Sequence, residues 1–188
     1  MTEPLLLRDD ALTAAHIVFA GGAETGAVHC GRHGARVTRL AAALGDEDAV
    51  AAAFQELGAA TAVVCDAGAL LREAPAGLTA LGAAVDGAWN VTRAAANAIF
   101  IPARSGLVIL LAPRPADGEH AGAARAALDN LARTTSIEWA RHGVRVVAVL
   151  PGDTTPVAAV ADTVAFLTSP AGGYYAGCSL ELGAVGSS

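Results

Sequence analysis

A chain of 188 residues with 54% hydrophobic and 16% charged residues has the size of one domain, and such a domain buries roughly 70% of its unfolded surface; this excludes disorder. The formal charge is −6 and all 12 basic residues are arginines scattered singly, so there is no basic stripe for a phosphate backbone and nucleic acid is excluded as an expected partner. Cys30, Cys65 and Cys178, an odd number at wide spacing, argue against a disulfide framework and point to a reducing cytoplasm. The N-terminal MTEPLLLRDDALTAAH has acids where a signal peptide needs a basic flank, and no apolar run reaches the ~18 residues of a membrane span, so a soluble, cytoplasmic chain is expected.

His16 to Ala20 (HIVFA) reads as a buried strand stopped by Gly21 and Gly22. Asp46 to Leu57 opens with acids suited to a helix N-terminus and carries Val50, Ala53, Phe54 and Leu57 at helical spacing. Thr61 to Cys65 is a strand apolar throughout, ended by Asp66-Ala67-Gly68. Leu78 to Phe100 is a long alanine-rich helix, Gly106 to Leu111 a buried strand, and Ala121 to His142 a second long helix closed by Gly143. Val144 to Leu150 is a strand, Val157 to Leu167 a short helix and Ser179 to Leu182 a last strand, with a fraying tail GAVGSS. Apolar strands alternating with helices predict an α/β fold in a single domain over 1–188, with a parallel, doubly wound sheet covered on both faces.

From about Val63 to Gly183 the segments NVTRAA (Asn90 to Ala95), SGLVILL, RAALDNLARTTSIEWARHGVRVVAVLPG (Arg125 to Gly152), VAFLTSP and YYAGCSLELG stand in the order and wording of the short-chain dehydrogenase/reductase family, which the chain resembles. The resemblance implies a Rossmann-like fold. It also implies a glycine loop after strand one, Thr-Gly-x-x-x-Gly-Ile-Gly, whose backbone N–H groups hold the cofactor pyrophosphate. Gly22 and Gly26 match that pattern, but Val28 replaces the third glycine and Glu24 adds a negative charge, both expected to oppose binding. About one helix, one strand and another helix of the adenosine half are expected to be missing or reduced to a hairpin, making this a truncated fold. The aspartate over the adenine aligns with Ala43, the family's acidic helix start with Asp46-Glu47-Asp48, and Asn-Asn-Ala-Gly with Cys65-Asp66-Ala67-Gly68.

The family's catalytic asparagine, serine, tyrosine and lysine fall on Ala84, Ala112 or Pro113, Ala121 and Arg125, so none survives; Arg125 keeps a charge whose pKa is out of reach of proton transfer. The substrate lid between Pro151-Gly152 and Phe166-Leu167 is absent. The resemblance therefore implies a pseudoenzyme without cofactor. It keeps the two long helices and the C-terminal strand through which the family joins subunits. Ala124, Leu128, Leu131, Thr135 and Trp139 on the second helix, and Val85, Trp89, Ala96 and Phe100 on the first, are apolar faces expected to meet a partner, or else the chain's own sheet. The leading expectation is a non-catalytic subunit in a homo- or hetero-oligomer with an intact bacterial ketoreductase of the family, which it stabilises or activates.

Two rivals come from other classes. Asp117, Glu119 and His120 precede the second helix and with Arg125 could serve a cofactor-independent isomerase, cyclase or dehydratase, although DGEH is also an ordinary polar turn before a helix. Retained NAD(P)-dependent oxidoreductase activity is the other. His29, Cys30 and His33 have spacing open to zinc, but with no second ligand pair they are read as solvated turn residues, and no metal is expected.

Overall fold

The computed structural model describes residues 7–183; the expected fraying of 184–188 and the start of the N-terminal segment lie outside them. Six parallel strands, β1 (His16–Ala20), β2 (Arg36–Arg39), β3 (Ala62–Asp66), β4 (Gly106–Leu111), β5 (Val144–Pro151) and β6 (Cys178–Leu182), form one sheet in the order β2-β1-β3-β4-β5-β6. The inner strands β1, β3, β4 and β5 are apolar at consecutive positions because both faces are covered, whereas the edge strands β2 (RVTR) and β6 (CSLEL) are mixed and partly exposed. Val18, Val63, Val108 and Val146 point into one core layer, while Ile17, Val64, Ile109 and Val147 point into the other.

The first layer is roofed by α2 (Glu47–Leu57), α3 (Ala67–Glu73), α4 (Leu78–Ala95) and α6 (Ala121–Trp139), and the second by α1 (Glu24–Arg32) and α7 (Val157–Thr168). The apolar stripes of α4 and α6 run through alanine, so these helices lie close to the sheet. Asp46 caps α2 by accepting from the Asp48 and Ala49 N–H groups at 3.0 and 3.1 Å. The long helix expected through Phe100 is not α-helical to its end. Its last stretch, Ala96–Phe100, widens to π bonding, with the Ile101 N–H donating to the Ala96 carbonyl, before the single turn α5 (Ile101–Ala103). The widening carries Phe100 into full burial under Gly106. Likewise α6 ends at Trp139, and a 3₁₀ turn, Ala140–His142, leads to left-handed Gly143.

Two expectations are corrected. The region read as missing or hairpin-like holds a nine-residue helix, α1, and a parallel strand, β2, whose Val37 pairs with Ile17. The stripes expected to meet a partner also turn inward in large part: Ala96, Phe100, Ala124, Leu128 and Thr135 are buried in this chain's own core. The cause is that a helix covering a sheet directs its most apolar stripe at the sheet. Val85, Leu131 and Trp139 are half-buried, and Trp89 is exposed. Among the described residues no helix is long and apolar enough to cross a membrane.

Candidate functional site

In a parallel sheet the loops at the strands' C-terminal ends converge, and ligands of open α/β folds bind there. After β1 the chain turns through three residues of positive φ, Gly21 (76°), Gly22 (111°) and Ala23 (59°), the last a left-handed alanine at the N-cap of α1 with no side-chain cap. The glycine turn is thus kept in shape. Gly26 is buried, with Phe19 Cε1 only 3.4 Å from where a Cβ would stand, so Gly26 provides the close helix-to-strand approach. Val28, expected to obstruct that approach, is 50% exposed on the outer face of α1. Glu24 is also corrected: its carboxylate leaves the turn and accepts from Arg39 Nε at 2.7 Å, and a second bond comes from Arg39 Nη2. That pairing holds the Glu24 carboxyl below its ordinary pKa and neutralises the charge expected to repel a phosphate.

At the end of β3, Asp66 accepts from the Ala69 N–H at 2.8 Å and so caps α3. Burial raises the Asp66 pKa, against the opposing pull of the Ala69 N–H and Arg72. A folded-state pKa above the unfolded value means that stability from this group is full below about pH 4 and is lost as pH rises through the folded pKa. Asp66→Asn keeps an N-cap acceptor and removes the ionisation. The variant is expected to gain on wild type in urea denaturation at pH 8 and to lose that advantage at pH 4; equal pH dependence in the two proteins would remove the argument.

The structure places the four positions that the resemblance aligns with the family's catalytic groups as follows. Ala84 is buried in the middle of α4, Pro113 follows β4, Ala121 opens α6, and Arg125 lies one turn on. Arg125 Nη1 donates to the carbonyls of Pro113 at 2.9 Å and Pro151 at 2.7 Å. The last ladder bond between β4 and β5 is Ala112 N–H to Val149, so Arg125 adds one more rung beyond the sheet's end. Its Nη1 is committed to the main chain.

The alternative set is only partly brought together. Asp117, Glu119 and His120 line one cleft of about 170 Å³ with Arg72, while Arg125 turns away from it. Asp117 Oδ2 already accepts from Arg72 Nη1 and from the Arg114 N–H, each at 2.8 Å. Gly22 stays on the turn, and Gly26 lines a neighbouring cleft of about 240 Å³ together with Glu24, Asp66, Arg72, Arg114 and the α7 residues Val157, Val160, Ala161 and Val164. His29, Cys30 and His33, read from the sequence as solvated turn residues, instead lie on α1 and at its C-cap, with Cys30 and His33 buried. His29 Nε2 meets Asp162 of α7 at 2.9 Å, its ring packs edge-on against buried His33 at 4.8 Å, and burial pushes the Cys30 thiol up to about 12. Among the described residues no three of His, Cys, Asp and Glu gather as a metal site.

No family profile and no curated protein matches the chain in sequence. Solved structures do match it in shape. BdcA (YjgI) from E. coli superposes at a TM-score of 0.72 with 21% identity, covering 92% of this chain and 100% of that one. A complex of BdcA with NADPH gives 0.73 and 18%, covering 92% and 94%. A hydroxysteroid dehydrogenase from Escherichia coli gives 0.75 and 14%, covering 95% and 99%. At these identities the likeness establishes the architecture alone: a Rossmann-like α/β fold with a six-stranded parallel sheet, helices on both faces, and its loop cluster at the strands' C-terminal ends.

Proposed function

We propose that this chain is a non-catalytic subunit on a short-chain dehydrogenase/reductase-like scaffold, joining an oligomer with an intact ketoreductase of that kind and stabilising or activating it. One observation carries the reading: the arginine at the position of the family's catalytic lysine is bonded to the Pro113 and Pro151 carbonyls, so it serves the sheet and not a ligand. Three large apolar side chains remain presented outward on α4 and α6. Leu78 is 76% and Trp89 38% exposed on α4, and Ile137 is 79% exposed on α6. Leu78, Val85 and Trp89 recur at helical spacing on α4, as do Ala123, Ala126, Asn130, Thr134 and Ile137 on α6, and the two helices pack side by side. The interface thus uses the faces opposite the buried stripes, with Val85, Leu131 and Trp139 at their margin.

The test is co-expression with intact reductases of this fold from the same genome, neighbouring genes first, followed by sedimentation and partner assay. A complex of mixed composition with raised partner activity or thermal stability is expected, and Ile137→Asp together with Trp89→Asp should dissociate it. Homo-oligomers alone, with the partner unchanged, would sink the proposal.

A cofactor-free enzyme is the second reading, supported by the gathering of Arg72, Asp117, Glu119 and His120 around one cleft. Loss of a measured isomerase or dehydratase activity in His120→Ala, with the fold intact, would favour it over the subunit reading. A retained NAD(P)-dependent oxidoreductase would need saturable NADPH binding, and the chain offers no tyrosine at Ala121 to move the proton.

A further inference from the structure

We propose that Arg114 is a latch that holds residues 152–156 as a closed strap across the ligand end of the sheet. The inference stands independently of the subunit reading, because it concerns only how the loops at the strand ends are held together. Arg114 follows β4, in the turn where the chain leaves the sheet. Its Nη1 donates to the Gly152 carbonyl at 2.7 Å and the Asp153 carbonyl at 2.9 Å, and its Nη2 to the Thr155 carbonyl at 2.6 Å. One guanidinium therefore gathers three carbonyl acceptors of a single loop, a geometry that suits arginine's planar fork and not a lysine's point charge.

The strap returns the contact. Asp153 Oδ1 accepts from the Ala116 N–H at 2.8 Å, on the same turn as Arg114. The Asp117 carboxylate, accepting from the Arg114 N–H at 2.8 Å and pairing with Arg72, fixes the base of the latch. On its far side the strap is moored to β6: the Gly152 N–H donates to the Leu182 carbonyl at 2.9 Å, and the Thr155 hydroxyl bonds the same oxygen. The turn after β4, the segment after β5 and the end of β6 are thus joined through Arg114 and Thr155.

This position gives the contact its meaning. Arg114, Pro151 and Val157 are walls of the 240 Å³ cleft, and the strap links the last two. Its ends are Gly152, where a Cβ would stand 3.3 Å from the Leu182 carbonyl, and Pro156, which starts α7. The cleft's apolar walls are Leu111, Ala112, Val160 and Val164, and the strap runs between two of its lining residues, Pro151 and Val157, without lining it. Released from Arg114, the segment between Gly152 and Pro156 has only its moorings to β6 and Ala116.

The test is native-state digestion of the full chain with endoproteinase Asp-N, followed by mass spectrometry. Cleavage before Asp153 reads strap opening, and cleavage before Asp129, inside α6, reads global unfolding. In Arg114→Ala, cleavage at the Gly152-Asp153 bond is expected to quicken about tenfold or more, as loss of charge-assisted bonds implies, with Asp129 cleavage unchanged. Arg114→Lys should fall between that variant and wild type. Equal cleavage before Asp153 in all three folded proteins overturns the latch, as does a parallel rise at both sites in both variants, which would make Arg114 a general stabiliser. Should Arg114→Ala fail to fold, Arg114→Lys decides: strap cleavage raised alone supports the latch, and cleavage equal to wild type overturns it.

Discussion

Gly106→Ala is expected to cost about 3 kcal/mol or more, the upper end for overpacking a core. An added Cβ would stand 2.1 Å from Phe100 Cγ, 2.4 Å from its Cδ1 and 2.6 Å from its Cβ. Because the nearest atoms include the root of the phenylalanine side chain, rotating the ring does not clear the clash. The backbone of the π segment or of β4 must shift, and β4 is hydrogen-bonded on both sides by β3 and β5. Phe100→Ala alone should cost about 3–5 kcal/mol by leaving a cavity. The double variant is expected to be more stable than the sum of the two losses predicts, by about 1 kcal/mol or more, since each change relieves the other's defect. Urea midpoints at constant m-value measure this, and strict additivity would show that the ring escapes without help.

Arg125→Ala is the second large effect, expected at about 2–3 kcal/mol. The Pro113 and Pro151 carbonyls lie in buried residues beyond the last β4–β5 ladder bond, and the guanidinium is the donor found on each. Removing it leaves two acceptors without that donor, and buried unpaired carbonyls cost about 1–3 kcal/mol each unless water reaches them. Arg125→Lys should recover part of the loss without creating reductase activity, because Ala121 has no hydroxyl for a lysine to assist. A measurable NADPH-dependent reduction in Arg125→Lys would contradict the structural role.

The central strands and both long helices were legible because their signals are strong: unbroken apolar runs for β3, β4 and β5, and sustained helical spacing for α4 and α6. Three elements escaped for separate reasons. Helix α1 buries only Gly26, Ala27 and Cys30 among histidines and an arginine, so it has little apolar stripe to read. Strand β2 is four residues with arginine at both ends. Helix α3 begins at Ala67 directly after β3, and its cap, Asp66, reads as a motif remnant. The arginine contacts at the strand ends were hidden because their acceptors are main-chain oxygens, which carry no residue signature and meet only after folding. The stripes on α4 and α6 were visible, but apolar spacing does not say whether a helix shows its stripe to a sheet or to a partner; burial of Leu128 and Phe100 assigns theirs to the sheet.

Strand β2 also decides how the molecule behaves in a crowd. It closes one margin of the sheet, and it offers a neighbouring molecule a template of only four residues, bounded by exposed Arg36 and Arg39. With Arg39 held by Glu24 and Arg36 exposed at the other end, that margin gives a second sheet only a short, polar-ended strand to pair with, which disfavours lateral sheet growth on that side.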